Sequence, residues 1–253
     1  MSIIGPALLA GLLVLATHVP LGAEVLRRGI IFIDLAIAQV AGLGVIAADF
    51  MGWDPRGFMV QVAAVTAALI AALILNWTDK RWPNIQEALI GVCFILAATA
   101  GILVLAGNPH GGENLKEILV GQILWVTIDG LLPIAIVSAV ILTLWYMFRD
   151  SARGIGFYVL FAFAVTASMQ LVGVYLVFAS LIIPALATRK IERRGIRLGC
   201  AYSVGIIGYL AGLVLSMRLD MPAGAVIVWC LAAIAIVFAW LIQPLICSSR
   251  SRP

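Results

Sequence analysis

The stretch GIGFYVLFAFAVTASMQLVGVYLVFASLIIPALATRK, residues 154–190, decides how this chain is built. Between Arg153 and Arg189 it holds no Asp, Glu, Lys or Arg. Its length of about 35 residues exceeds one membrane crossing, which takes about 20 apolar residues, and is enough for two. We therefore read a tight hairpin with its turn near Gln170 to Gly173, followed by the basic patch Arg189-Lys190-Ile191-Glu192-Arg193-Arg194.

The same alternation of apolar run and short polar hinge extends outward in both directions. Apolar runs cover about Ile3–Leu26, Ile31–Met51, Gly57–Trp77, Ile85–Ala106 and Gln122–Met147 before the hairpin, then Leu198–Met217 and Ala223–Ile246 after it. An amphipathic piece, Leu115 to Val120, leads from the polar stretch Asn108–Asn114 into the fifth run. Of the 253 residues, 64% are hydrophobic and 11% charged, with a mean hydropathy of +1.14. A soluble domain is about a quarter charged. Too little polar surface remains to coat a water-facing globule, so a bilayer must solvate the chain. The expectation is an all-α polytopic membrane protein of about eight transmembrane helices, forming one domain over residues 1–253. The first run has no basic start or evident cleavage site, so it reads as a retained helix and not a signal peptide.

The net charge is +4. Its placement argues for orientation in a membrane and against nucleic acid as a partner. If alternate hinges share a side, one side carries Arg27, Arg28, Lys80, Arg81, Arg149, Arg153, Arg189, Lys190, Arg193, Arg194, Arg197, Arg250 and Arg252, and the other only Arg56, Lys116 and Arg218. Basic residues concentrate on the cytoplasmic side. This predicts an N-terminus outside and a C-terminus in the cytoplasm, provided the 153–189 segment crosses twice. Cys93, Cys200, Cys230 and Cys247 lie in or beside apolar runs with no C-x-x-C pair, and read as buried small hydrophobes.

Polar groups inside hydrocarbon are costly and mark function by default. Three stand out: His18, Asp34 and Gln39. Counting helical rise from the Arg27-Arg28 hinge puts His18 roughly 14 Å deep, Asp34 roughly 9 Å and Gln39 roughly 16 Å. In a core of about 30 Å, His18 and Gln39 are expected near the midplane on adjacent antiparallel helices. Imidazole suits zinc and carboxylate suits manganese, so the three could form a transient metal site. The plainer alternatives are a His18 hydrogen bond to neighbouring backbone near Pro20 and a Gln39 bond across helices. Glu24, three and four residues before Arg27 and Arg28, reads as an interfacial ion pair. Asp129 is expected about one and a half turns inside the fifth helix, lining a pathway or an outer vestibule. His110, beside Glu113, is expected in an outer loop, solvated or meeting a partner. No G-x-x-x-x-G-K-[ST] loop is present, so ATP hydrolysis through a P-loop would have to come from another subunit.

Two stretches resemble the permease subunits of bacterial zinc/manganese-type ABC importers. VGVYLVFASLIIPALAT, Val172 to Thr188, resembles that family's V-G-V-L-L-V-S-A-L-L-I-I-P-A-A-T-A segment, matching at Val172, Gly173, Val174, Leu176, Val177, Ala179 and Leu181 to Ala185. LRRGIIFIDLAIAQVAGLGV, Leu26 to Val45, resembles its L-R-R-M-x-x-I-G-D-A-L-S-H-A segment. EALIGVCFILAATAGILVL and VGQILWVT add weaker matches. The resemblance implies a non-enzymatic permease in the bacterial inner membrane, with no permanently bound cofactor and a divalent metal, zinc or manganese, as cargo. It further implies a homodimer, a cytoplasmic ATP-binding subunit and an extracytoplasmic metal-binding protein.

Two departures stand beside it. In the family the Asp is followed four residues later by a His on the metal path. Asp34 matches the Asp, but Ala38 occupies the His position, so only Asp34 carries over and His18 is a replacement candidate. The stretch between Asp150 and Val172 is shorter than usual, which leaves Arg189 to Arg197 as a docking loop for the ATPase. An ABC permease for another cargo, or a stand-alone secondary carrier or channel, are the competing readings; internal repeats would favour the last, and none is evident.

Overall fold

The computed structural model describes residues 4–54, 57–105, 119–148 and 154–242. These hold nine α-helices and no strand: α1 (Ile4–Arg28), α2 (Ile33–Phe50), α3 (Phe58–Arg81), α4 (Gln86–Leu105), α5 (Ile128–Phe148), α6 (Ile155–Val172), α7 (Val174–Ala187), α8 (Arg194–Leu219) and α9 (Ala223–Val237). Eight spans are long and apolar enough to cross a bilayer; the exception, α7, is shorter. The expected eight counts the long spans alone. α7, with 14 residues, is a shorter apolar helix between two of these spans.

The hairpin turn falls at Gly173. Its φ of 83° lies in the left-handed region that favours glycine, and it serves as both the end of α6 and the start of α7. Gly121, at φ 71°, lies backbone to backbone against it: a Cβ on Gly121 would sit 2.2 Å from the Val172 carbonyl carbon. Only glycines allow so close a crossing. This contact also explains a displaced helix start. Residues 121–127 form a bent entry with a 3₁₀ turn at Ile123–Trp125, so α5 begins at Ile128 and not near Gln122. Asp129 is consequently exposed in the first turn of α5, not inside the helix. At the far end of the chain, α9 passes into a π-helical turn over Phe238–Ile242.

The helices are grouped by their ends. Arg28 stacks over the Phe157 ring at 4.1 Å, the Phe32 N–H donates to Glu87 Oε1 at 3.3 Å, and Arg27, Trp145 and Arg197 line one pocket. The beginnings of α4, α6 and α8 thus share one end of the bundle with the ends of α1 and α5. Gly121, Gly173 and Gly224 meet at the other. Of the basic residues expected on one side, Arg27, Arg28, Arg194 and Arg197 share this end, while Arg149, Arg153, Arg250 and Arg252 lie outside the described residues. Glu24 accepts from Arg27 Nε at 2.8 Å and Arg28 Nε at 2.7 Å, the ion pair foreseen for it.

At the centre, α7 packs on α1 and α9, while α2 packs on α3 and α4. Small residues permit the tightest approach: Gly22 of α1 lies on the Leu181 carbonyl of α7, and a Cβ there would be 2.0 Å from that oxygen. Tyr209, fully buried on α8, lays its ring over Gly11 and bonds Ser180 of α7 at 2.8 Å.

Candidate functional site

The expected neighbourhood of α1 and α2 does not form. The two helices barely touch, and α6 and α7 contact both of them. Gly29, at φ 72°, stands in the short connection, and α1 gives Gly11 to Tyr209 of α8 and Gly22 to Leu181 of α7. Depth along a helix says nothing about azimuth, and the antiparallel-neighbour expectation for His18 and Gln39 fails for that reason.

Each of the three candidates is nevertheless buried. His18 is fully enclosed; its Nδ1 lies 3.0 Å from the Val14 carbonyl oxygen and 3.0 Å from Thr17 Oγ1. A carbonyl only accepts, so that contact assigns the ring proton to Nδ1. The backbone bond is therefore present, as the plainer reading has it. It also leaves Nε2 with its lone pair free, and Nε2 has no hydrogen-bond partner. A ring N–H tied to a carbonyl with the other nitrogen open is the usual state of a metal-ligating imidazole.

Asp34 sits in the first turn of α2, fully buried, and neither carboxylate oxygen has a partner. The helix N-terminus favours negative charge there. Ala38, one turn further along, is equally buried, so the face that carries the family's Asp and His positions turns into the protein. The neighbouring face, Leu35 and Gln39, opens into a cavity of about 660 Å³ between α2, α4, α7 and α9. Phe94, Tyr175, Phe178, Ile182 and Trp229 line it, and Gln39 brings an amide to an otherwise largely apolar wall. Among the described residues, no three His, Cys, Asp or Glu side chains converge. His110, Glu113 and the 108–118 stretch lie outside the described residues, as do Arg56, Arg149, Asp150, Arg153 and the 243–253 tail.

One residue the sequence reading passed over is Glu87. Its Oε1 accepts from the Phe32 N–H, capping α2 from the first turn of α4, because Phe32 has no side chain able to do so. An acid two residues past the Pro83-Asn84-Ile85 turn was the available signal.

The model of the ABC 3 transport family matches residues 1–157 and 152–242, which together run over almost the whole chain. The chain belongs to the ABC 3 transport family. Within it, the chain is 26% identical to the high-affinity zinc uptake system membrane protein ZnuB of Haemophilus influenzae, over 91% of this chain and 94% of that protein. It is 28% identical to the manganese transport system membrane protein MntC of Halalkalibacterium halodurans, over 90% and 83% respectively. It is 29% identical to the chelated iron transport system membrane protein YfeC of Yersinia pestis, over 82% and 76%. Among solved structures, PsaBC from Streptococcus pneumoniae in complex with Fab superposes with a TM-score of 0.79 at 22% identity, covering 98% of this chain and 94% of that one. At that identity the likeness is one of fold. Like its ABC 3 relatives, the chain is a multi-pass membrane protein.

Proposed function

We propose that the chain is the membrane-spanning permease of an ATP-binding-cassette importer, moving a divalent transition metal ion, zinc or manganese, across the bacterial inner membrane. The observation that carries this reading is the family match over residues 1–242, with relatives whose names describe zinc, manganese and iron transport. Two copies would form the pathway. A separate ATP-binding subunit would dock at the basic end, where Arg189, Lys190, Glu192 and Arg193 are exposed, and an extracytoplasmic metal-binding protein would deliver the ion at the other. The N-terminus would lie outside and the C-terminus in the cytoplasm. ATP-driven closure of the ATPase pair would rock the helices and alternate access to the pathway.

His18 and Asp34 would contribute to a transient cation site, with Gln39 as an oxygen ligand on the cavity wall. Buried groups with unsatisfied lone pairs support this, since an imidazole Nε2 and a carboxylate with no donor await one. Because α6 and α7 contact both α1 and α2, His18 and Asp34 would act at successive points along the path, or meet only when the helices move. A weak site suits transport, because the ion must leave as well as enter.

The test is metal uptake by cells that depend on this permease and its partner subunits. Asp34→Ala is expected to abolish uptake, and His18→Ala to slow it while assembly with the ATPase persists. Ala38→His in the His18→Ala background is expected to restore part of the flux. Uptake at the parent rate by His18→Ala removes His18 from the site. A second reading, an ABC permease for another cargo, is favoured by Ala38 in place of the family's His and by the apolar wall around Gln39. Undiminished metal uptake by Asp34→Ala would favour it.

A further inference from the structure

Pro20 stands inside α1, the helix that carries His18. A proline has no N–H, and its ring crowds the carbonyl four residues back. The Ala16 carbonyl therefore loses its helical donor, in the middle of a membrane-length span. Within hydrocarbon, the protein itself has to satisfy a backbone group freed in this way. The replacement donor comes from another helix: the Tyr202 hydroxyl of α8 donates to the Ala16 oxygen at 3.1 Å.

This bond belongs to a longer register. α8 runs antiparallel along α1: Leu198 and Pro20 line one pocket, Gly205 lies on Leu15, and the Tyr209 ring lies over Gly11. Tyr202 and Tyr209 are about two helical turns apart, so they share one face of α8. Tyr209 reaches α7 at the corresponding place, bonding Ser180 four residues before Pro184. The helix-internal prolines of α1 and α7 thus each have an α8 tyrosine at the turn they disrupt.

His18 lies in the turn that the Tyr202 bond holds, midway between Ala16 and Pro20. Its ring is tied backward, Nδ1 to the Val14 carbonyl, and its Nε2 has no partner. The direction of Nε2 follows from the backbone angles between Val14 and Pro20, where the helix is weakest. A freed carbonyl in such a turn is otherwise satisfied by a local 3₁₀ or π adjustment or by an inserted water. Each of these would swing the imidazole.

We propose that Tyr202 is a positioning residue for the cation site, holding the Pro20 turn of α1 so that His18 keeps Nε2 in one direction. It acts through the backbone of α1 and donates nothing to the ion. The proposal rests on the reading of His18 as a transient ligand. A neutral hydrogen bond of this kind shifts an equilibrium roughly two- to tenfold, and that factor sets the expected effect on transport.

The experiment is zinc uptake, at limiting zinc, by proteoliposomes holding the full chain and its partner subunits, with nitrogen NMR of the labelled histidine rings in the same proteins. The signals lost in His18→Ala belong to His18. Tyr202→Phe keeps the ring and removes the donor. It is expected to slow uptake roughly two- to tenfold, to move the His18 signals, and to leave the ATPase co-purifying. In a His18→Ala background it is expected to slow uptake no further, because no imidazole remains to aim. In a Pro20→Ala background it is again expected to add nothing, because the restored backbone N–H then serves the Ala16 carbonyl. Uptake by Tyr202→Phe at the parent rate overturns the proposal, and so do unmoved His18 signals. An equal loss in the parent and His18→Ala backgrounds also overturns it, because the tyrosine then serves packing alone. Uptake by His18→Ala at the parent rate is a separate failure: it ends the His18 reading, and Tyr202 loses its role in transport even if the ring signals move.

Discussion

Gly22→Ala is the substitution whose outcome follows most directly from the packing. A Cβ at position 22 would lie 2.0 Å from the Leu181 carbonyl oxygen and 2.9 Å from its carbon. Both atoms are backbone in the middle of α7, so no rotamer change can make room. Relief requires α1 and α7 to separate by at least 1 Å before the contact reaches even 3.0 Å. Inserting a methyl group into a packed interior costs about 1–3 kcal/mol. The gain in helix propensity from Gly to Ala, about 1 kcal/mol, offsets part of this. The net expectation is a loss of up to about 2 kcal/mol, at most a roughly thirtyfold shift in the unfolding equilibrium. Gly199→Ala is the matched control: it lies in α8 with nothing within 4 Å of a Cβ, so it feels only the propensity gain. Reversible unfolding in mixed micelles, followed by tryptophan fluorescence, reads both. Gly22→Ala is expected to unfold at lower denaturant than the parent and Gly199→Ala at equal or higher denaturant. A Gly22→Ala protein as stable as Gly199→Ala would refute the claim that backbone contact sets the α1–α7 spacing.

Three further outcomes follow from other contacts. Ser180→Ala leaves the Tyr209 hydroxyl buried without its partner and should cost about 1–3 kcal/mol, whereas Tyr209→Phe leaves Ser180 bonded to the Leu176 carbonyl and should cost about 0.5–1.5 kcal/mol by the same unfolding assay; the reverse order would count against that network. Glu87→Ala removes the cap that α4 lends to α2, and a loss of about 0.5–2 kcal/mol is expected, with faster amide exchange at residues 32–36; unchanged exchange would mean that the Phe32 N–H does not depend on Glu87. Single cysteines at Asn114 and Ser249 should label from opposite faces of sealed vesicles, with Ser249 on the cytoplasmic face, and labelling from one face would overturn the topology proposed from the basic hinges.

Much of the architecture was open to a reader of the residues alone. An apolar run of membrane length between basic hinges has few other ways to fold, because backbone polar groups in hydrocarbon must be satisfied within the helix. The clusters at Arg27-Arg28, Lys80-Arg81 and Arg189–Arg197 therefore place the hinges, and the charge-free 154–188 run demands a turn, found at Gly173. The Glu24 ion pair was equally legible, since partners three and four residues apart on one helix meet whatever surrounds them.

The relations between helices were not legible. Helical rise gives the depth of His18, Asp34 and Gln39, but which helix each one faces depends on azimuth and on which neighbours pack. That choice turns on close contacts such as Gly22 on Leu181 and Gly121 on Gly173, pairings distant in sequence with no local signature. A basic-ended bundle of apolar helices with polar groups buried inside it could be read from the residues, because burial in hydrocarbon is a property of each segment. That α1 and α2 part, and that Gln39 and not Asp34 faces the cavity, emerges from the folded chain alone, because packing is a property of pairs of surfaces.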